Sequence, residues 1–258
     1  MTGLVAALVA AVALTAGPVS LPPTAGVADY QLGGAYRPAQ DVDIVTRDRT
    51  DQPAPGRYSI CYVNSFQTQP GRLGWWKAKH PSLLLRDAKG RLVRDPGWPD
   101  EVLLDIRTSA KRAAIGAVNR SWFAQCARMG YAAVEPDNLD SWTRSGGRIR
   151  KAHAISFARR LVREAHGTGL AIAQKNAPQL ARLRLGFDFA VAEECEVYRE
   201  CGAYTRVYGT RLIEIEYTDN GRKAFARACA TRKGSASILL RDRDVVRPSP
   251  RRYVFRTC

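Results

Sequence analysis

Short apolar runs alternate along the chain with longer stretches in which apolar residues recur at helical spacing. Two of the longer stretches, 113–130 and 151–169, are amphipathic and are predicted as helices. The apolar runs are rich in Val, Ile, Leu and Tyr and are predicted as buried strands. These nine runs are 27–32, 42–46, 57–64, 101–106, 131–137, 169–176, 187–194, 211–217 and 236–242. Strands that alternate with helices in this way indicate parallel βαβ units covered on both faces.

The number and order of these elements predict a single (β/α)₈ barrel. The chain has 258 residues, and such a barrel typically needs about 250. Gly130 and Gly169 each stand where a helix would end and the next strand would begin. Nine strands are one more than the barrel holds, so either 27–32 or 101–106 is expected to be an accessory strand. We therefore predict an α/β fold, a TIM barrel formed by one domain over residues 28–258.

An open, doubly wound sheet is the competing architecture. It would normally carry a glycine-rich phosphate-binding turn after an early strand, and Gly33 and Gly34 follow such a strand without a GxGxxG or Walker pattern. Polar side chains instead collect at the C-terminal ends of the predicted strands, the rim on which barrel enzymes build their sites. These residues are Asn64, Asp105, Glu135, Asp137, Gln174, Asn176, Glu193, Glu194, Glu214, Glu216, Arg241 and Asp242.

Alternation along a strand indicates which of these acids point into the barrel. Glu193 shares a face with Phe189 and Val191, whereas Glu194 lies on the opposite face, so only one of the two should reach the centre. Two carboxylates on different strands that face one pocket are what glycosidic cleavage requires. No Ser–His–Asp set, Cys–His pair or metal-ligand spacing competes with them, and we expect neither a metal nor an organic cofactor.

The N-terminus and the cysteines both favour export. An uncharged apolar run within residues 1–27 has the length of a signal-peptide core and is short for a membrane span, although no Lys or Arg precedes it. It is either a cleaved signal peptide or an N-terminal anchor. Six cysteines suit an oxidising compartment. We predict bridges between Cys195 and Cys201 and between Cys229 and Cys258, while Cys61 and Cys126 form a bridge or remain two buried thiols.

The net charge of +16 raises the question of a polyanionic partner. Only eight of the 40 basic residues are Lys, and the Arg residues are spread along the whole chain without a dense block or interleaved aromatic residues. This distribution is typical of solvated helix faces. We therefore expect a secreted or surface-anchored monomer that acts on a polysaccharide and binds no nucleic acid, with no membrane contact beyond the N-terminal segment.

Five strings in order along the chain carry a resemblance to a known family: YVNSFQTQP, VEPDNLDSW, AIAQKN, FDFAVAEECEVYREC and IEIEY. With these motifs the chain resembles the endo-α-1,4-polygalactosaminidases of glycoside hydrolase family 114, over roughly residues 29–258. The resemblance implies a secreted (β/α)₈ enzyme that cleaves α-1,4-linked galactosaminyl polymers. It also suggests that the anomeric configuration is retained.

The resemblance implies roles for individual residues. Asp137, in the EPDN string, corresponds to the nucleophilic carboxylate, and the acid/base residue is Glu193 or Glu194 in the EEC string. The facing argument favours Glu193. We expect Asn138 and Lys175 to keep Asp137 ionised, and crowding by other carboxylates to raise the pKa of the acid/base Glu. The sugar subsites are predicted to be lined by Asp105, Glu135, Asn138, Lys175, Asn176, Glu216 and Tyr217.

Other functions remain open at this stage. The family's polymer carries free amines and is cationic, whereas this chain is strongly basic, which leaves room for a neutral or N-acetylated α-glycan. A barrel that binds carbohydrate without cleaving it is a second alternative. A basic protein that binds polyanions is a third, and its binding would depend steeply on salt concentration.

Overall fold

The computed structural model describes residues 18–249 and 251–258. Within these residues, nine strands form one sheet in sequence order, with every neighbouring pair parallel except the last. The strands are β1 Ala28–Gln31, β2 Ile44–Asp48, β3 Tyr58–Asn64, β4 Ala133–Asp137, β5 Ala171–Lys175, β6 Phe189–Glu193, β7 Leu212–Tyr217, β8 Ser237–Arg241 and β9 Phe255–Thr257. Strands β1 to β8 curve into a nearly closed barrel, which confirms the predicted fold class.

The barrel closes between β8 and β1 through a buried side chain. Within the described residues, no backbone ladder joins these two strands. The Arg241 guanidinium crosses the gap instead, donating to the Tyr30 carbonyl and to the Asp29 carboxylate at 3.1 Å. Just beyond the strand ends, the Gly33 N–H donates to the Val245 carbonyl at 3.2 Å. The edge of β8 that does not pair with β7 pairs with β9, which runs antiparallel to it.

In the described part of the chain, six α-helices surround the sheet. They are α1 Leu73–Lys79, α2 Ser109–Met129, α3 Lys151–His166, α4 Pro178–Ala181, α5 Cys201–Tyr208 and α6 Lys223–Arg232. Helix α2 begins where the Thr108 hydroxyl accepts from the Lys111 N–H and ends at Gly130, whose φ of 96° is the left-handed conformation that glycine adopts without strain. Gly169 also has a positive φ, ahead of β5, as expected at a helix-to-strand junction.

The strands separate two apolar layers. Inside the barrel, alternate residues of each strand pack together, among them Ile44, Ile60, Phe189, Val191 and Ile213. The opposite faces pack against the helices in a larger outer core. Because the strands are buried on both faces, apolar residues occupy both faces of strands such as Phe189–Glu193 and Ser237–Arg241. The apolar packing stops at the strand ends, and polar side chains can be accommodated there.

The surplus predicted strand is the 101–106 segment. It lies outside the barrel sheet and makes isolated antiparallel bridges, Gln67 with Leu103 and Leu84 with Leu104. The segment is apolar because Val102, Leu103 and Leu104 are completely buried in the outer core, so composition alone could not distinguish it from a barrel strand. The ninth strand of the sheet, Phe255–Thr257, was not predicted; it is only three residues long.

Three disulfides connect the layers. Cys195–Cys201 and Cys229–Cys258 are confirmed, and Cys61–Cys126, which the sequence left open, is also a bridge and joins β3 to α2. The Cys229–Cys258 bridge ties the last residue to α6. A bridge that closes a loop of this size typically contributes about 2–4 kcal/mol to stability.

Most of the predicted signal or anchor segment lies outside the described residues. Its described end, from residue 18 onward, contacts the barrel: Tyr58 donates to the Ser20 carbonyl at 2.8 Å, and Val19 packs beside the inner core. In the part of the chain that the structure describes, no helix has the length and apolar character needed to cross a bilayer. The boundary at residue 27 stays a prediction.

Candidate active site

A cavity of about 560 Å³ opens at the C-terminal end of the strands. Seven of the ten predicted site residues line it: Asp137, Asn138, Lys175, Asn176, Glu193, Glu194 and Tyr217. They lie at the ends of β4, β5, β6 and β7. The carboxyl ends of neighbouring parallel strands meet at one rim, which is why residues as far apart in sequence as Asp137 and Tyr217 converge.

Backbone reversals end three of these strands. Asn138, Asn176 and Glu194 follow β4, β5 and β6 directly, and their φ angles are 66°, 47° and 59°. Asparagine tolerates this left-handed conformation better than most residues, whereas for Glu194 it is unusual. The reversal turns the chain sharply after each strand. The side chains of Glu193 and Glu194 therefore point in different directions, although the two residues are adjacent in sequence.

The Lys175 ammonium lies at the bottom of the cavity between three carboxylates. Its Nζ is 3.0 Å from Glu135, 3.2 Å from Glu193 and 3.5 Å from Asp137. The Tyr30 hydroxyl accepts a further hydrogen bond from it at 2.9 Å. Burial alone would lower the pKa of Lys175, but the surrounding carboxylates raise it well above its usual value. Lys175 is therefore a permanent cation that holds the acidic groups together.

Asp137 is oriented by donors on both of its oxygens. The Tyr62 hydroxyl donates to Oδ2 at 2.7 Å, and the Asn138 N–H donates to Oδ1 at 2.8 Å. Lys175 approaches the same Oδ1. The side chain is 19% exposed and faces the cavity. These contacts fix the carboxylate while leaving it accessible, as a nucleophile requires.

Glu193 faces the same space from β6. Its Oε2 accepts from the Asn176 amide at 2.9 Å and from Lys175, and its Oε1 accepts from the Tyr217 hydroxyl. Burial would raise the pKa of Glu193, but the Lys175 ammonium and the hydrogen bonds from Tyr217 and Asn176 hold it below the usual value. The expectation that crowding raises this pKa is wrong, because the cation among the carboxylates outweighs their repulsion.

Glu194 is held at the rim by an ion pair. Arg243 donates to both of its oxygens, at 2.6 and 3.1 Å, and the Asn220 amide donates to it as well. The same guanidinium lies 4.1 Å from the centroid of the Tyr217 ring, whose hydroxyl donates to Glu193. The side chain of Glu194 is thus linked to that of Glu193 through Arg243 and Tyr217.

Three predicted residues lie away from the cavity lining. Glu135 is completely buried beneath it and accepts from Tyr30 at 2.5 Å as well as from Lys175. Asp105 pairs with Arg107 at 2.8 Å and with Lys111 at 2.5 Å; these cations outweigh burial and lower its pKa to about 2. Glu216 alternates with the inward-facing Tyr217 and so points towards the helices. The structure does not place these three side chains where a sugar in the cavity would touch them.

Glu216 is instead an acid buried at a cost in stability. It accepts one hydrogen bond, from the Glu196 N–H at 3.0 Å, and burial raises its pKa from 4.5 to about 7. The folded protein then holds a proton that the unfolded chain releases, so the unfolding free energy falls as pH rises from about 4.5 to 7. Glu216→Gln keeps an acceptor without a charge.

We expect Glu216→Gln to raise the melting temperature at pH 8, by a stabilisation of up to roughly 3 kcal/mol, and to give little gain at pH 4. Calorimetry of both proteins at the two pH values checks this. Asp41→Asn is the control, because the Asp41 side chain is exposed. Equal effects of Glu216→Gln at both pH values would contradict the assignment.

Several residues of the site were not predicted. Tyr30 and Tyr62 donate to the carboxylates, and Arg243 orients Glu194. Trp98, in the loop before 101–106, and Glu101, the first residue of that segment, line the cavity. Alternation could have indicated the two tyrosines, since each lies on the inward face of its strand. Glu101 and Trp98 come from an insertion between β3 and α2, which no strand pattern locates.

The cavity is acidic although the protein is basic. Eight carboxylates line it, from Asp48, Asp95, Glu101, Asp137, Asp140, Glu193, Glu194 and Asp244, against three cations, Arg144, Lys175 and Arg243. Its formal charge is thus strongly negative within a chain of +16. Among the described residues, one group of potential metal ligands lies close together, Cys195, Cys201 and Glu214. Because the two sulfurs are bonded to each other, it offers no thiolate to a metal.

Comparison with solved structures gives the same fold. Ega3 from Aspergillus fumigatus, solved in complex with galactosamine, matches with a TM-score of 0.73 at 22% identity, covering 94% of this chain and 99% of Ega3. The glycoside hydrolase domain of PelA from Pseudomonas aeruginosa matches with a TM-score of 0.60 at 17% identity, covering 85% of this chain and 95% of that domain. No curated protein sequence matches the chain.

The sequence profile of glycoside hydrolase family GH114 matches residues 9–258, nearly the whole chain. The match includes the strand ends that carry Asp137, Lys175 and Glu193. This family match agrees with the observed barrel, whose rim carries inward-facing carboxylates. The chain belongs to glycoside hydrolase family 114 and is a glycoside hydrolase.

Proposed function

We propose that this protein is a secreted, endo-acting enzyme that cleaves α-1,4-linked galactosaminyl polysaccharides with retention of configuration. Asp137 is the nucleophile and Glu193 the acid/base residue. The observation that carries the proposal is the placement of both carboxylates against one buried ammonium, at the bottom of an acidic cavity. The three disulfides support an oxidising, extracellular location.

The separation of the two carboxylates supports retention. Asp137 Oδ1 and Glu193 Oε2 both lie within 3.5 Å of Lys175 Nζ. Two atoms that share such a neighbour are at most about 7 Å apart. Retaining enzymes hold their carboxyl groups about 5–5.5 Å apart, whereas inverting enzymes need about 6.5–9.5 Å to admit a water. The shared contact with Lys175 is compatible with the shorter, retaining separation.

The reaction then proceeds in two displacements. Asp137 attacks the anomeric carbon while Glu193 gives its proton to the departing glycosidic oxygen, which leaves a glycosyl ester on Asp137. Glu193 next removes a proton from water, and the hydroxide released attacks the anomeric carbon and frees Asp137. Lys175 stays protonated and stabilises whichever carboxylate is ionised. Because the pKa of Glu193 is held below its usual value, proton donation by Glu193 increases as the pH falls.

The charge of the cavity supports a cationic substrate. Free galactosamine units carry ammonium groups, which eight lining carboxylates would attract at short range. The +16 charge of the whole chain repels the polymer at long range, but salt screens that repulsion beyond about 8 Å at physiological ionic strength. The galactosamine complex of Ega3, a similar fold, supports the same class of sugar.

The test is direct digestion. The purified protein is incubated with α-1,4-galactosaminyl polymer in free-amine and N-acetylated forms and with chitosan, and the products are sized by mass spectrometry. We expect oligosaccharides of several lengths from the free-amine polymer, less product from the N-acetylated form, and none from β-linked chitosan. Release of single sugars alone would contradict endo action, and faster cleavage of the N-acetylated polymer would contradict the proposed substrate.

A further inference from the structure

One exposed aromatic residue lines the cavity. Trp98 is 56% exposed, and among the large apolar side chains that stay exposed in residues 18–249 and 251–258 only Trp98 borders the active site. The other residues of this kind are Leu21, Leu183 and Tyr198. An indole on the wall of a cleft offers a flat apolar face to a ligand, and exposed apolar groups at a cleft commonly mark a binding surface.

The loop that carries Trp98 is fixed rather than loose. The buried Asp95 carboxylate accepts from the Gly97 N–H at 2.8 Å and from the Trp98 N–H at 3.3 Å. Asp95 is itself held by the Gln67 amide at 2.7 Å and by Arg144 at 2.6 Å. Because these hydrogen bonds hold the loop backbone on a buried, doubly anchored carboxylate, the backbone of Trp98 has a defined position beside the cavity.

The same anchor connects Trp98 to the catalytic strand. Arg144 also donates to the Asn138 side chain at 2.9 Å and pairs with Asp140 at 3.0 Å, so it links the loop to the residues directly after Asp137. On the other side, the Trp98 carbonyl accepts from the Glu101 N–H at 2.8 Å. Hydrogen bonds therefore connect Trp98 to the segment after β4 and to Glu101, an acid that lines the same cavity.

Exposure indicates how deep each group lies. The Lys175 side chain is 1% exposed, and the Asp137 and Glu193 side chains are 19% and 24% exposed. Trp98, at 56%, is much closer to solvent. The sugar that reacts must reach the carboxylates at the bottom. An indole near the mouth then meets a neighbouring unit of the same polymer.

We infer that Trp98 forms a sugar subsite outside the point of cleavage, where its ring stacks on the C–H face of a galactosaminyl unit and acidic side chains surround that unit's ammonium. This inference rests on the proposed function for the identity of the sugar. The subsite binds only chains long enough to extend from the carboxylates to the mouth. It contributes to polymer binding and leaves the chemical step to Asp137 and Glu193.

The test measures binding in the absence of cleavage. In an Asp137→Asn background, titration calorimetry gives the Kd of α-1,4-galactosaminyl oligosaccharides of increasing length and of galactosamine alone. We expect Trp98→Ala to raise the Kd of the longer oligosaccharides about tenfold, and that of galactosamine by less than about twofold, since the lost contact is roughly one stacked sugar face. Trp98→Phe should recover most of the affinity.

Tyr198→Ala is the matched control, because Tyr198 is 65% exposed and does not line the cavity. It should leave every Kd unchanged. Equal Kd values for long oligosaccharides with and without Trp98 would overturn the subsite, as would equal losses for galactosamine and the longest chain or failure of the parent to bind any oligosaccharide. The proposed function fails separately, if the wild-type enzyme does not cleave the polymer.

Discussion

Asp137→Asn is expected to abolish turnover of the galactosaminyl polymer, with kcat reduced on the order of 10⁴-fold. The amide cannot form the glycosyl ester, yet it preserves the size of the side chain and can still bond to Tyr62 and to the Asn138 N–H. Folding and oligosaccharide binding should therefore persist. The measurement is product formation by mass spectrometry, with the melting temperature checked first.

Asp87→Asn is the control for this substitution, because Asp87 pairs with Arg91 on the surface and does not line the cavity. It should retain wild-type turnover. An Asp137→Asn protein that melts normally and still releases oligosaccharides at more than about a tenth of the wild-type rate would remove Asp137 from the role of nucleophile.

The second large effect is expected at Glu193. Glu193→Gln removes the proton donor, and we expect kcat/KM for the polymer to fall about 10²–10⁴-fold. Because the pKa of Glu193 lies below its usual value, the protonated fraction in the wild type shrinks as pH rises, and kcat/KM should fall with it. That pH dependence should be absent from Glu193→Gln.

Glu194→Gln provides the comparison within the same motif. It weakens the ion pair with Arg243 and so loosens the contact of Arg243 with Tyr217, and we expect a loss of less than about tenfold, which is the size of effect expected when a partly exposed ion pair is weakened. The assignment would be wrong by one residue if Glu194→Gln were inactive while Glu193→Gln kept its activity and its pH dependence.

Strand alternation predicted much of the site. Phe189 and Val191 pack inside the barrel, so Glu193, two residues on, faces the cavity as expected. The same rule applied to IEIEY would have placed Glu216 outside, because Ile215 and Tyr217 are the inward residues. The prediction of Glu216 as a subsite residue rested on its nearness to a strand end. A strand residue lines the cavity only if it lies near the C-terminal end of the strand and also on the inward face of that strand.

The remaining features depend on contacts that span the chain. The sequence shows Lys175 near a strand end, but its place between Glu135, Asp137 and Glu193 follows only from barrel closure. The low pKa of Glu193 has the same origin. Trp98 and Glu101 reach the cavity from an irregular segment outside the barrel sheet, and Arg243 reaches it from the loop after β8. No local sequence spacing predicts that these side chains reach the cavity.

The most direct test of the account is to trap the glycosyl-enzyme. In Glu193→Gln, an α-galactosaminyl fluoride donor needs no protonation to leave, so Asp137 can displace fluoride, whereas hydrolysis of the resulting ester lacks its base. Acid quenching followed by peptide mass mapping should then find one galactosaminyl unit on the peptide that contains Asp137. A label on another carboxylate, or no label together with a product of inverted configuration, would contradict the account.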